Sequence, residues 1–158
     1  MNIFKYIIID EKKFFNNLYH ILDEFEKPLV SISMNGVTGK IKPVYFNGAI
    51  YELKRNSHFS FHTQVYKDGI YLCSIGPKNG FSSAWKIDYD NEKIELKSNL
   101  NFNHITVFKE NVEVGKISRK TKRFKSIFGM ALYEDNDPIV VSFCLIIRLL
   151  VLRASMAA

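Results

Sequence analysis

Apolar and polar positions alternate with a period of two along most of the chain, and the alternation stops only near its C-terminal end. Residues 3 to 9 are dense in β-branched and aromatic side chains and predict a first strand, which the charged segment Asp10 to Lys13 should end as a turn. Further strands are predicted over residues 41 to 46, 49 to 55, 84 to 89 and 92 to 97. Asn47-Gly48 and Asp90-Asn91 are turn residues suited to positive φ, and Ser126 to Tyr133 is a last strand. The pattern then changes. From Ile139 to Leu152 the apolar residues go all the way round a helical wheel, so no face is left for water and the segment belongs inside a protein or inside a membrane. Asp137 is a good N-cap and Pro138 is preorganised for the first helical turn, which gives this helix a defined start.

The strand region contains an internal repeat. His62 to Gly69 leads into Leu72 to Ile75, and 42 residues later His104 to Asn111 leads into Val114 to Ile117, position by position. Upstream, Tyr51 to Lys54 matches Ile94 to Lys97. Each copy reads as a hairpin with turn residues Asp68-Gly69 or Glu110-Asn111, flanked by neighbouring strands. Nearer the N-terminus, Phe14, Phe15, Leu18, Leu22 and Phe25 fall at helical spacing and admit an amphipathic helix over residues 12 to 26. The competing reading is a hairpin, Tyr19 to Leu22 turning through Asp23 to Lys27 into Pro28 to Ile32. Ile32 lies 43 residues before Ile75, so the repeat favours the hairpin as a degenerate first copy.

The apolar helical run is 14 residues long, short of the roughly 20 that a bilayer needs. Extending it to Ala158 would put Arg148 near the middle of the span, at a cost of about 2.5–3.5 kcal/mol, and would add Arg153. As a helix the run measures roughly 21 Å, the height of a barrel with strands of six to eight residues. A closed sheet of about twelve strands is too wide to be filled by its own side chains, and an all-round apolar helix suits its lumen. The expected fold class is therefore mainly β: a closed antiparallel barrel of about twelve strands around a central hydrophobic C-terminal helix. Its expected layout is a single domain over residues 1 to 158, with strands across 3 to 133 and the helix across 138 to 153.

Three stretches together resemble the tubby C-terminal-like superfamily, which includes tubby domains, plant LURP-one-related proteins and phospholipid scramblases. They are the repeated hairpin of the type Val65 to Ile75, the segment Gly115 to Lys120, and Asn136-Asp137-Pro138 followed by an apolar helix. The resemblance covers nearly the whole chain, as a bacterial-looking stand-alone domain, and rests on pattern rather than on an invariant motif. It implies a barrel of about twelve strands wrapped around the helix, and a non-enzymatic binding or scaffold role. Tubby domains bind phosphoinositides, but their lipid-contacting residues have no residue-by-residue match here.

Charge adds one candidate site. Arg119, Lys120, Lys122, Arg123 and Lys125 put five cations within seven residues and account for all but one of the net charge of +6. Placed on a turn between strands, they would form an anion- or lipid-binding footprint, with anionic phospholipid or a membrane surface as partner. The bland alternative is a solvated turn whose charges discourage aggregation. Nucleic acid is a poor fit because RNA-recognition patterns are absent, and no protein partner is indicated. Searches for nucleophile elbows, glycine-rich phosphate loops, His-Glu metal motifs and spaced cysteine pairs find none, so no catalytic residue, metal ligand or cofactor is assigned. His58 and His62 share strand parity and are a weak metal pair; His62 and His104 occupy matching repeat positions and suggest a structural role instead. Cys73 and Cys144 read as packing residues, and Trp85 as core. The two distant cysteines fit a reducing, cytoplasmic setting with peripheral membrane contact, and the N-terminal apolar run lacks the features of a signal peptide. The alternative reading is a β domain held to the membrane by a C-terminal transmembrane anchor.

Overall fold

The computed structural model describes residues 3–12, 15–55, 62–78, 84–99, 102–122, 125–133 and 136–156, excluding the side chains of residues 12, 121, 122, 125 and 153–156. Twelve strands precede one helix among these residues. They are β1 (Ile3–Lys12), β2 (Asn16–Asp23), β3 (Pro28–Asn35), β4 (Val44–Phe46), β5 (Ala49–Arg55), β6 (Thr63–Lys67), β7 (Ile70–Pro77), β8 (Ala84–Tyr89), β9 (Lys93–Ser98), β10 (His104–Lys109), β11 (Val112–Lys122) and β12 (Lys125–Tyr133), followed by α1 (Pro138–Met156).

The strands form one antiparallel sheet in the order β3-β2-β1-β12-β11-β10-β9-β8-β7-β6-β5-β4. All neighbours are consecutive in sequence except β1 and β12, whose pairing from Ile3↔Tyr133 to Asp10↔Ser126 brings the two ends of the strand region together. The remaining edges, β3 and β4, almost meet. Met34 bridges Ile41, the Lys42 N–H donates to the Ser33 carbonyl (3.0 Å), and the Asn35 N–H donates to the Lys40 carbonyl (2.8 Å). The result is a nearly closed barrel, which leaves little exposed strand edge.

The repeat survives in detail. The β6-β7 hairpin is bulged between Val65 and Tyr66, and the β10-β11 hairpin between Val107 and Phe108, 42 residues on. Both turns hold their two central residues at positive φ: Asp68 (52°) and Gly69 (80°), Glu110 (48°) and Asn111 (66°). That is the turn whose twist matches the strands it joins. Asp68 and Glu110 also do the same job outside their own hairpins. The Asp68 carboxylate accepts from the Ile50 N–H (2.9 Å), and the Glu110 carboxylate accepts from the Lys93 N–H (3.0 Å). Each ties its turn to the preceding hairpin at the same end of the barrel.

The N-terminal ambiguity resolves as the hairpin β2-β3, paired from Asn16↔Asn35 to Leu22↔Pro28. Asp23 closes its turn by accepting from the N–H groups of Phe25 and Lys27 (2.9 Å each). Other boundaries move. β1 does not end at Asp10; it continues through Glu11 because both faces find partners, with Asp10 buried and Glu11 held 2.8 Å from His20 Nε2. The strand expected over residues 41 to 46 shortens to Val44–Phe46 plus the Ile41 bridge. β7 runs on through Gly76 and Pro77. Asp90 and Asn91 do not adopt positive φ.

Helix α1 begins where the cap dictates. Asp137 Oδ1 accepts from the Ile139 N–H (3.0 Å), and the Asp137 carbonyl accepts the Val141 N–H (3.2 Å). From Ile139 to Ile147 every residue is at most 1 % exposed, so the strands cover the helix on all sides. The helix is three residues longer than expected, since nothing from Arg153 to Met156 breaks it. Among the described residues no helix is long and apolar enough to cross a membrane. In this fold the segment proposed as an anchor is instead the centre of the core.

Candidate functional site

Because the strands alternate in direction, the barrel has two distinct ends. One holds the start of α1 and the turns at Asp68 and Glu110. It is tied by polar side chains: the Tyr51 hydroxyl donates to Asp137 Oδ2 (2.8 Å), and the Tyr51 ring meets Phe143 edge-on at 6.1 Å. Burial, reinforced by Asp137, pushes the Tyr51 phenol well above its ordinary pKa. Nearby Tyr89 is raised for the same first reason. Cys73 is pushed up to about 12 by burial, and buried Cys144 is raised further; both are free thiols in the core, as inert as packing residues should be.

The opposite end gathers cations. Gly39, at φ +70°, lets the 36–43 connection lie against Leu150 of α1 and the Arg55 guanidinium, where a Cβ would come within 2.7 Å and 3.2 Å of them. Arg55 has its pKa lowered by burial. Just inside, Arg148 borders a cavity with about 10 Å³ of room for the centre of a water molecule. Trp85, Leu96, Phe102, Ile105 and Leu145 wall it. The guanidinium carbon lies 5.7 Å from the ring centroids of both Trp85 and Phe102, an arrangement worth about 1 kcal/mol of cation–π attraction. Yet Arg148 Nε is buried without a hydrogen-bond partner, and so is Trp85 Nε1. Desolvation lowers the Arg148 pKa, and among the described residues the Cys144 thiol acts against that shift.

The basic run ends at this same end of the barrel, but it is not a turn of five equivalent cations. β11 continues to Lys122 and β12 starts at Lys125, so all but Arg123 and Phe124 are strand residues. Arg119 has the parity of buried Ile117; its Nη2 donates to Ser126 Oγ (2.9 Å) and its guanidinium lies 5.8 Å from the Phe128 ring. It serves the barrel wall. Lys120 is exposed, and Lys122 is the register partner of Lys125. Arg123 lies outside the described residues.

The histidine readings divide. His58 lies outside the described residues, and among those described no group of three or more metal-ligating side chains forms. His62 and its repeat counterpart His104 are both exposed; the His62 ring stands over Gly76, where a Cβ would collide with it, and His104 pairs with Ser118, the counterpart of Gly76. The signal for the Arg148 cavity was present in sequence as the one charged residue inside the apolar run, but its partners Trp85 and Phe102 have no local motif linking them to it. Comparison with known protein families, with curated proteins and with solved structures finds no match to this chain.

Proposed function

We propose that this chain is a non-enzymatic binding or scaffold domain of tubby-like build, which associates with anionic phospholipid surfaces through the basic end of the β11-β12 hairpin. The observation that carries the reading is the last rung of that hairpin, where Lys122 faces Lys125 across the ladder. Exposed Lys120 stands two positions away, and no Asp or Glu occurs between Val114 and Tyr133. Cations gathered at one hairpin end attract an anionic surface. At about 1 kcal/mol per lysine near a negatively charged leaflet, three lysines supply roughly 3 kcal/mol, about a hundredfold in affinity. The cytoplasmic leaflet is the surface with that potential, and peripheral attachment there fits a barrel whose apolar helix is occupied as its core.

Vesicle co-sedimentation tests this. The protein should bind vesicles containing phosphatidylserine and not those of phosphatidylcholine alone, with binding that weakens as salt rises. The variant K120A/K122A/K125A should lose roughly a hundredfold. Equal binding to neutral vesicles, or undiminished binding by the triple variant, would overturn the assignment.

A further inference from the structure

We infer that the cationic end of the barrel inserts the Phe15 and Val37 side chains into the apolar layer of an anionic bilayer, so that the protein docks end-on; this deepens the lipid reading above and rests on it. Phe15 and Val37 are 68 % and 81 % exposed. They lie on neighbouring connections, just beyond the ends of β1 and β3, and the Gly36 N–H donates to the Phe15 carbonyl (2.8 Å). Val37 tops a tight loop. Asn35 Oδ1 accepts from the N–H groups of Val37 and Thr38 (2.9 and 3.0 Å), and the Asn35 carbonyl accepts from the Gly39 N–H (2.8 Å). A built turn therefore presents an apolar side chain to solvent.

Single exposed apolar residues are common and by themselves mark nothing. Charge selects this pair. By chain connectivity, residues 13–15, 36–43, 56–62, 78–83, 99–103 and 123–124 join strands at this end, and in sequence they hold five Lys or Arg and no Asp or Glu. The connections at the other end, 24–27, 47–48, 68–69, 90–92, 110–111 and 134–137, hold nine acidic residues and one lysine. Phe25 at that other end is as exposed, at 82 %, but it sits between Glu24 and Glu26, which an anionic surface repels. Lys40 and Lys42, by contrast, are exposed on the same connection as Val37. Of the acids near the end of β1, Asp10 is buried and Glu11 is held 2.8 Å from His20. Apolar tips beside cations suit a negatively charged bilayer, where the cations meet head groups and the tips enter below them. A soluble polyanion would leave Phe15 and Val37 in water, so the combination favours lipid.

Phe15→Trp puts a reporter at the point of insertion, read against the wild type, whose single tryptophan, Trp85, is 2 % exposed in the core. With phosphatidylserine vesicles, F15W emission should shift to the blue and be quenched by lipids brominated on the acyl chain, while wild-type emission stays unchanged. F15S/V37S should bind the same vesicles roughly tenfold more weakly, with its folding checked by circular dichroism. Salt-dependent wild-type binding in which F15W is not quenched and F15S/V37S binds equally overturns the insertion and leaves the lysine contact standing. Quenching of F15W with undiminished binding by K120A/K122A/K125A does the opposite, supporting the insertion and removing the lysine assignment. Absence of wild-type binding to anionic vesicles removes both. If the wild type self-associates without lipid and F15S/V37S disperses it in sedimentation velocity, the pair serves the acidic end of a second copy, and the inference is overturned.

Discussion

Asp137 is the residue whose removal should tell most about how the central helix is held. It caps α1 through the Ile139 N–H at 3.0 Å and also receives the Tyr51 hydroxyl at 2.8 Å, from a strand 86 residues earlier. Asp137→Ala removes the cap, worth about 1 kcal/mol, and leaves a nearly buried phenol without its acceptor, worth roughly 1–3 kcal/mol. The expected total is about 2–4 kcal/mol, or a melting temperature lower by roughly 5–15 °C for a chain of this length. Asp137→Asn retains a capping oxygen and should lose only about 1 kcal/mol. Tyr51→Phe should lose roughly 1–2 kcal/mol, and the double variant should fall short of additivity by about 1 kcal/mol because both singles break the same bond. The pair also has a pH signature. The folded-state pKa of Tyr51 is raised by burial and then by Asp137, so its contribution is fully present below the unfolded tyrosine pKa near 10. It is lost as pH rises from there through the folded value, with a slope of up to about 1.4 kcal/mol per pH unit, and Tyr51→Phe should flatten that decline. Urea denaturation followed by circular dichroism at neutral and alkaline pH measures all of this. If Asp137→Ala stays within about 0.5 kcal/mol of wild type, or the two singles add to within about 0.3 kcal/mol, the cap-and-clasp account is wrong.

Three further outcomes are expected. Arg148→Met keeps a long side chain in the cavity wall but removes a partly buried charge whose Nε has no hydrogen-bond partner; it should raise stability by about 1 kcal/mol in thermal denaturation, and a loss of more than that would mean Arg148 has a polar partner. Gly115→Ala should destabilise by roughly 1–3 kcal/mol, because the new Cβ would lie 2.8 Å from the Ala131 carbonyl oxygen and 2.8 Å from Leu132 Cδ2, and a strand carbonyl cannot move aside cheaply; an unchanged denaturation midpoint would contradict that. Cys73 and Cys144, buried and raised in pKa, should resist alkylation at neutral pH until denaturant is added, and rapid labelling of the native protein would show that the core opens locally.

Most of the scaffold was legible because its signals are local or periodic. Alternation marks strands, Asp68-Gly69 and Glu110-Asn111 mark tight turns, and Asp137-Pro138 marks a helix start; each is decided within a few residues. The 42-residue repeat carried over even to the bulges and to the carboxylates that tie one hairpin to the next. Sites built by tertiary approach were not legible. Nothing in sequence links Arg148 to Trp85 and Phe102, or Tyr51 to Asp137, because the barrel brings them together only after every intervening strand is in register. The basic run was a different case: strand parity puts Arg119 with Ile117 and separates it from Lys120, a signal that reading the segment as a turn discarded.

The two ends of the barrel differ in a way that follows from the direction of the helix. At its start, the dipole favours negative groups, and Asp137 is there with a hydroxyl donor to hold it. Towards its far end the barrel carries cations instead: Arg148 about two turns before the helix ends, Arg55 beside Gly39, and the lysine positions of β11 and β12. The first end is closed by carboxylates with donors: Asp68 accepts from the Ile50 N–H, Glu110 from the Lys93 N–H and Asp137 from the Tyr51 hydroxyl. At the second, Arg148 Nε, Trp85 Nε1 and Arg119 Nε are buried donors without partners among the described residues, and the backbone register sets Lys122 opposite Lys125. Uncompensated charge costs stability, and the well-capped end supplies the excess that lets the other end carry it. If an anionic surface binds the lysine end of β11-β12 as proposed, it should raise the stability of the whole barrel, since one core helix runs between the two ends.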